Sequence, residues 1–174
     1  MPDILDALFA VLELKAGNDQ ISFAVYNTIV ALLDVLVNKM KQDSDKFKVV
    51  LDDYIESYFA SPNAYKQLMH CIKHYFGDLD NVKPNDLITT LKALGYLFKF
   101  IIASMKAKKD AEQGPSSDQG GRIIKDAEFD KDVKDFFGFF IAMMRKTDQQ
   151  WLGSQAVALQ VHSNITLSYN ITHP

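Results

Sequence analysis

Apolar residues recur at intervals of three and four along most of this chain, and that spacing admits little besides packed helices. From Phe47 onward, Val50, Leu51, Tyr54, Ile55, Tyr58 and Phe59 fall on one helical face, with Lys48, Asp52, Asp53, Glu56 and Ser57 on the other. Ser44 stands ahead as a candidate N-cap, and Ser61-Pro62 closes the segment, because proline disfavours helical geometry in the residue before it. The next helix takes Pro62 near its first turn and runs through Tyr65, Leu68, Met69, Ile72, Tyr75 and Phe76. It stops at Gly77, which reads as a left-handed C-cap. Beyond a polar loop, Asn85 or Asp86 caps a longer helix whose stripe is Leu87, Ile88, Leu91, Leu94, Leu97, Phe98, Ile101, Ile102 and Met105. Gly95 inside that helix predicts a closely packed neighbour.

Two helices precede these. The first holds Ile4, Leu5, Leu8, Phe9 and Leu12 and closes at Ala16-Gly17-Asn18; the second spans about 21–41 with Tyr26, Ile29, Val30, Leu33, Leu36, Val37 and Met40. A sixth carries Phe129, Val133, Phe136, Phe137, Phe140 and Met144, and a short seventh is expected around Trp151, Leu152, Ala156, Val157 and Leu159. Strand-type alternation is nearly absent before the final residues, so the fold class is all-α. The stretch 106–127, polar and Gly-rich at its centre, is expected to be a mobile loop between two helices. Residues 1–160 form one helical unit on this reading, and 161–174 a divergent, unstructured tail. A closed bundle and an α-solenoid of stacked pairs both fit six or seven such helices. Phe136, Phe137, Phe139, Phe140, Ile141, Met143 and Met144 cover most of a helical circumference, which calls for neighbours on two sides.

With 174 residues the chain makes one domain or one block of a larger array, and a net charge of −3 gives no general attraction to nucleic acid or anionic lipid. Cys71 is the single cysteine, so no internal disulfide can form. Asp3 and Asp6 stand where a signal peptide carries positive charge. Asp34, Lys39, Lys92 and Lys99 are expected to interrupt the apolar stretches short of the roughly 20 residues of a membrane span. A soluble, cytoplasmic chain is the expectation.

The side-chain chemistry is sparse. His70 and His74 share a helical face at a spacing that can give two ligands to a metal, but no third ligand is evident, and Cys71 points about 100° away from His70. Asp52, Asp53 and Glu56 resemble a carboxylate cluster, yet they lie on a polar face where nothing apolar raises a pKa. Lys106, Lys108 and Lys109 form a small basic run at the expected end of the fifth helix, where they complement the helix dipole. Asn164-Ile165-Thr166 and Asn170-Ile171-Thr172 match glycosylation acceptors without a signal peptide to expose them. No catalytic, cofactor-binding or metal-ligating residue is nominated, and no cofactor is implied.

The run FKVVLDDYIESYF from Phe47 to Phe59, then AYKQLM from Ala64 to Met69 and TLKALGYLFKFII from Thr90 to Ile102, resembles the dedicator-of-cytokinesis (DOCK) family of guanine-nucleotide exchange factors. LDALF at Leu5 to Phe9 and SQAVA at Ser154 to Ala158 fit the same pattern. The likeness covers about residues 3–160, is densest from 46 to 105, and is closest to the subgroup that acts on Rac. It matches the family's central helical-repeat region, which implies an armadillo- or HEAT-like α-solenoid between a lipid-binding C2-type domain and a C-terminal exchange domain. The residues of that exchange domain are absent from this sequence. The resemblance therefore implies an internal scaffold segment of an activator of Rho-family GTPases, not an enzyme in itself. Its expected neighbours are flanking repeats, with no nucleic acid and no membrane insertion. The alternative is a free-standing helical adaptor that takes a partner helix or peptide in a groove. The tail 161–174 matches neither the helical period nor the family, and is expected to be an intron read through from Val161 in a truncated gene.

Overall fold

The computed structural model describes residues 2–39, 44–78, 83–113 and 126–145. These residues form six α-helices and, among themselves, no strand: α1 (Pro2–Leu14), α2 (Asp19–Asp34), α3 (Ser44–Ser57), α4 (Ala64–Gly77), α5 (Pro84–Gln113) and α6 (Ala127–Arg145). The expected seventh helix around Trp151, the tail 161–174 and the Gly-rich centre of the 106–127 loop lie outside the described residues.

Local chemistry explains the boundaries. Gly17 carries φ +90°, a conformation that favours a residue without Cβ, and it turns the chain between α1 and α2. Asn18 then caps α2, its side-chain oxygen accepting from the Ile21 amide at 3.2 Å. A π-helical turn, Val35–Lys39, continues α2 directly. At the end of α3 the Phe59 amide donates to the Tyr54 carbonyl at 2.9 Å, a widened turn that releases the chain before Pro62.

Several sequence expectations change. Helix α4 starts at Ala64, past Pro62, and α5 starts at Pro84, so that Asn85 and Asp86 lie inside it and do not cap it. Gly77 ends α4 without a positive φ. Its lack of a side chain has a packing reason instead, because a Cβ there would come within 3.2 Å of the Phe139 ring. The fifth helix does not stop near Lys106; α5 continues to Gln113. The residues from Lys106 to Glu112 are mostly strong helix formers, and Lys108 faces Glu112 at 3.9 Å one turn on. Finally, the charges expected to interrupt the apolar stretches do not do so. Asp19–Val37 and Asn85–Glu112 are both long and apolar enough, by length and composition, to cross a membrane. Much of each is buried against neighbouring helices, as in the interior helices of a packed array.

The helices alternate in direction. His70 beside Asp19 and Tyr75 beside Asn27 show that α2 and α4 run the same way. Lys66 beside Asp126, and Phe76 against Phe136 and Phe140, extend that row to α6. Running opposite, α5 brings Ser104 to the Tyr65 amide at the start of α4 (2.9 Å). In turn α1 and α3 are parallel, as Asp6 meets Tyr54 and Phe9 meets Phe59. The result is a stack of helices in two rows, with α4 packed against α1, α2, α5 and α6.

Aromatic rings fill the joints. Phe9, Tyr54, Phe59 and Phe100 bring α1, α3 and α5 together, with ring centroids 4.7–6.3 Å apart, largely edge-on or tilted. Phe136 reaches both Phe76 of α4 and Phe98 of α5, so the Phe-rich helix does have two neighbours. Three tyrosines bury their rings while their hydroxyls tie helices far apart in sequence. Tyr54 bonds Asp6 at 2.5 Å, Tyr65 bonds Asp126 at 2.7 Å, and Tyr75 bonds Asn27 at 2.7 Å.

Candidate functional site

Several of the residues with conspicuous chemistry hold helices together. His70 Nε2 lies 3.1 Å from Asp19 Oδ1, linking α4 to α2. His74 stacks on Phe23 at 4.1 Å between centroids, and His70 stacks on the same ring more distantly. Cys71 is fully buried, and burial pushes its thiol up to about 12, well outside the range of a reactive thiolate. Among the described residues no group of three or more His, Cys, Asp or Glu converges as a metal site.

Asp52, Asp53 and Glu56, the carboxylates grouped by the sequence, go three ways. Asp52 pairs with Lys99 of α5 at 2.7 Å, Asp53 faces Ser57 at 3.5 Å, and Glu56 is exposed. Burial first, then the Asp52 charge and hydrogen bond, push Tyr96 up to about 12, and Lys99 lies 4.7 Å from the centre of that ring. The basic run does not sit at a helix end. Lys108 is drawn inward to the Tyr65 hydroxyl at 3.0 Å, whereas Lys106 stays exposed. Both glycosylation-type sequences lie outside the described residues.

An open groove of about 880 Å³ lies between α5 and the C-terminal end of α3 with the turn that follows it. Ile55, Phe59, Ile102, Ala103 and Ala107 give it an apolar floor, and Tyr58 stands along one wall. Glu56 on the α3 side and Lys106 and Asp110 on the α5 side form the rim, while the Asp52–Lys99 pair closes one end. The groove contains no arrangement of nucleophile and base. It does leave apolar surface open: Tyr58 is 69% exposed and Ile102 38%. Helical spacing had placed both on buried stripes, and Val50 with them, although Val50 is 49% exposed. Nothing in the period separates them from the residues that are covered. Conversely, Phe100 is fully buried although it stands off the stripe assigned to its helix. The clue available in the sequence is the run Tyr96, Leu97, Phe98, Phe100, Ile101 and Ile102, too broad for one neighbour.

The sequence matches the family model described as "Dedicator of cytokinesis (DOCK) TPR region" over residues 1–170. The match runs on past Gln160, where the likeness had been expected to stop. Relatives include "Dedicator of cytokinesis protein 3" of mouse and of human, each 31% identical over 120 residues, or 68% of this chain. "Dedicator of cytokinesis protein 4" of human is similar at 31% over 122 residues. The chain spans about 6% of the length of these relatives. The family description names TPR repeats where an armadillo- or HEAT-like array had been expected; both are stacks of helical pairs.

Proposed function

Because this chain belongs to the dedicator-of-cytokinesis family and matches its TPR region, we propose that it is an internal scaffold segment of an exchange factor for Rac-like GTPases of the Rho family. In this role it sets the distance and orientation of the parts that do the work, and it accelerates no nucleotide exchange itself. Its place is the cytoplasm, and its immediate neighbours are further helical repeats of the same protein. The observation that carries the reading is the family match over residues 1–170.

The architecture supports it. Several of the ionisable groups named above tie separate parts of the chain together, as in Asp52–Lys99, Lys66–Asp126 and His70–Asp19. Such groups give a rod its shape. A nucleotide-release assay tests the proposal: Rac loaded with a fluorescent guanine nucleotide is mixed with the purified chain. The expected result is release at the intrinsic rate, and clear acceleration would overturn the claim of inactivity.

A second reading, a helical adaptor, is favoured by the groove between α3 and α5. Sedimentation separates the two, since an adaptor gives a well-behaved monomer and an excised slice of an array self-associates.

A further inference from the structure

The groove between α3 and α5 is shaped and charged for one kind of occupant. We propose that it docks a single amphipathic helix from another protein, about three turns long, with an aliphatic stripe and a predominantly basic flank. The proposal goes beyond the scaffold role and does not depend on it.

Length comes first. The groove follows α5 from Lys99 to Asp110, which is about 17 Å at the rise of an α-helix, or three turns. Its long side is α5, and the opposite side is the last turn of α3 followed by the turn Tyr58 to Ala60, so a helix can lie along α5 with its stripe on Ile55, Ile102 and Ala103. An extended peptide would gain no strand to pair with there, because no β-strand lines the groove.

Charge then selects among helices. The Asp52–Lys99 pair is satisfied and marks one end. Glu56, Lys106 and Asp110 form no ion pair among the described residues. Two carboxylates and one ammonium therefore face a bound partner across the rim. A helix with basic residues toward Glu56 and Asp110 satisfies both, and an acidic residue toward Lys106 completes the match. A second copy of this chain is a poorer occupant, since it too carries net negative charge, −3 in all.

The test uses the intact 174-residue chain and two labelled helical peptides with the same Leu/Ile stripe, one flanked by Lys and Arg, the other by Glu. Fluorescence anisotropy at moderate salt is expected to show the basic peptide bound at least ten-fold more tightly. Ile102→Glu should weaken it at least ten-fold with unchanged far-UV circular dichroism. That substitution adds negative charge, so non-specific attraction of a basic peptide would instead rise. Tyr58→Ser, at a side chain mostly in solvent, gives a second variant whose folding is not at stake and should weaken binding at least three-fold. Glu56→Lys combined with Asp110→Lys should reverse the preference between the peptides. Equal affinity for both peptides, no binding, or indifference to Ile102→Glu and Tyr58→Ser would overturn the proposal. So would a concentration-dependent dimer abolished by Ile102→Glu, which would make a second copy the occupant.

Discussion

Two buried tyrosines show how one functional group can act with either sign. The hydroxyls of Tyr26 and Thr90 lie together in the core without a hydrogen bond of normal geometry, and burial pushes the Tyr26 phenol far above its ordinary range. A buried hydroxyl left unsatisfied costs about 1–3 kcal/mol, so replacing both with apolar groups of the same shape removes a penalty. Tyr26→Phe combined with Thr90→Val is therefore expected to leave stability unchanged or raise it by about 1 kcal/mol. Tyr75 donates to Asn27 at 2.7 Å, and Tyr75→Phe should lower stability by about 1 kcal/mol. Urea denaturation of the two variants against the parent checks both signs. Nothing at this scale was legible beforehand, because periodicity ranks Tyr26 and Tyr75 alike, as rings on a buried stripe.

Among the elements, α6 depends most visibly on a single side chain. Asp126 stands just before it and accepts from the Phe129 amide at 3.2 Å, from the Tyr65 hydroxyl, and from Lys66 at 2.7 Å. These bonds, the one from Lys66 foremost, hold its carboxyl well below the usual carboxylate range. A depressed carboxyl contributes stability that is complete above its unfolded value near about 3.9 and is lost only as pH falls through the lower folded value. The docking of α6 should thus persist through mild acid and fail in strong acid. Asp126→Ala should weaken it by roughly 1–2 kcal/mol at neutral pH, the range for losing a cap. Faster hydrogen exchange confined to the amides of α6 would report it; uniform exchange across the chain would contradict it. The six helices themselves were readable from spacing, as was the turn at Gly17; the cap at Asn18 was not singled out. The ties between helices were not. Asp126 sits beside a Gly-rich stretch that reads as loop, and only the fold brings it to Lys66 and Tyr65. The groove was invisible for a related reason: the 3.6-residue period says that Ile102 has an apolar face to cover, not whether a neighbour reaches it.

For the molecule as a whole, apolar surface stays open on α1 and α6, as it does at Val49 and Val50 of α3. Ile4 is 57% exposed, Val11 39% and Leu14 76% on α1, while Phe139 and Ile141 are open on α6. Surfaces of this kind associate in water when further repeats do not cover them. The isolated chain is expected to self-associate at micromolar concentration, and Ile4→Lys combined with Ile141→Lys should shift its sedimentation toward the monomer. Ile102→Glu should leave that behaviour unchanged, which keeps the end faces distinct from the groove. The phenolic bonds of Tyr54, Tyr65 and Tyr75 carry a larger implication. Greasy faces alone let one cylinder slip along another by a turn, about 5.4 Å, at little loss of contact. A directional O–H bond to a side chain 48–61 positions away in the chain makes such slippage costly. Neighbouring cylinders are then pinned in register by three directional bonds, and removing the hydroxyls would leave that register to shape alone.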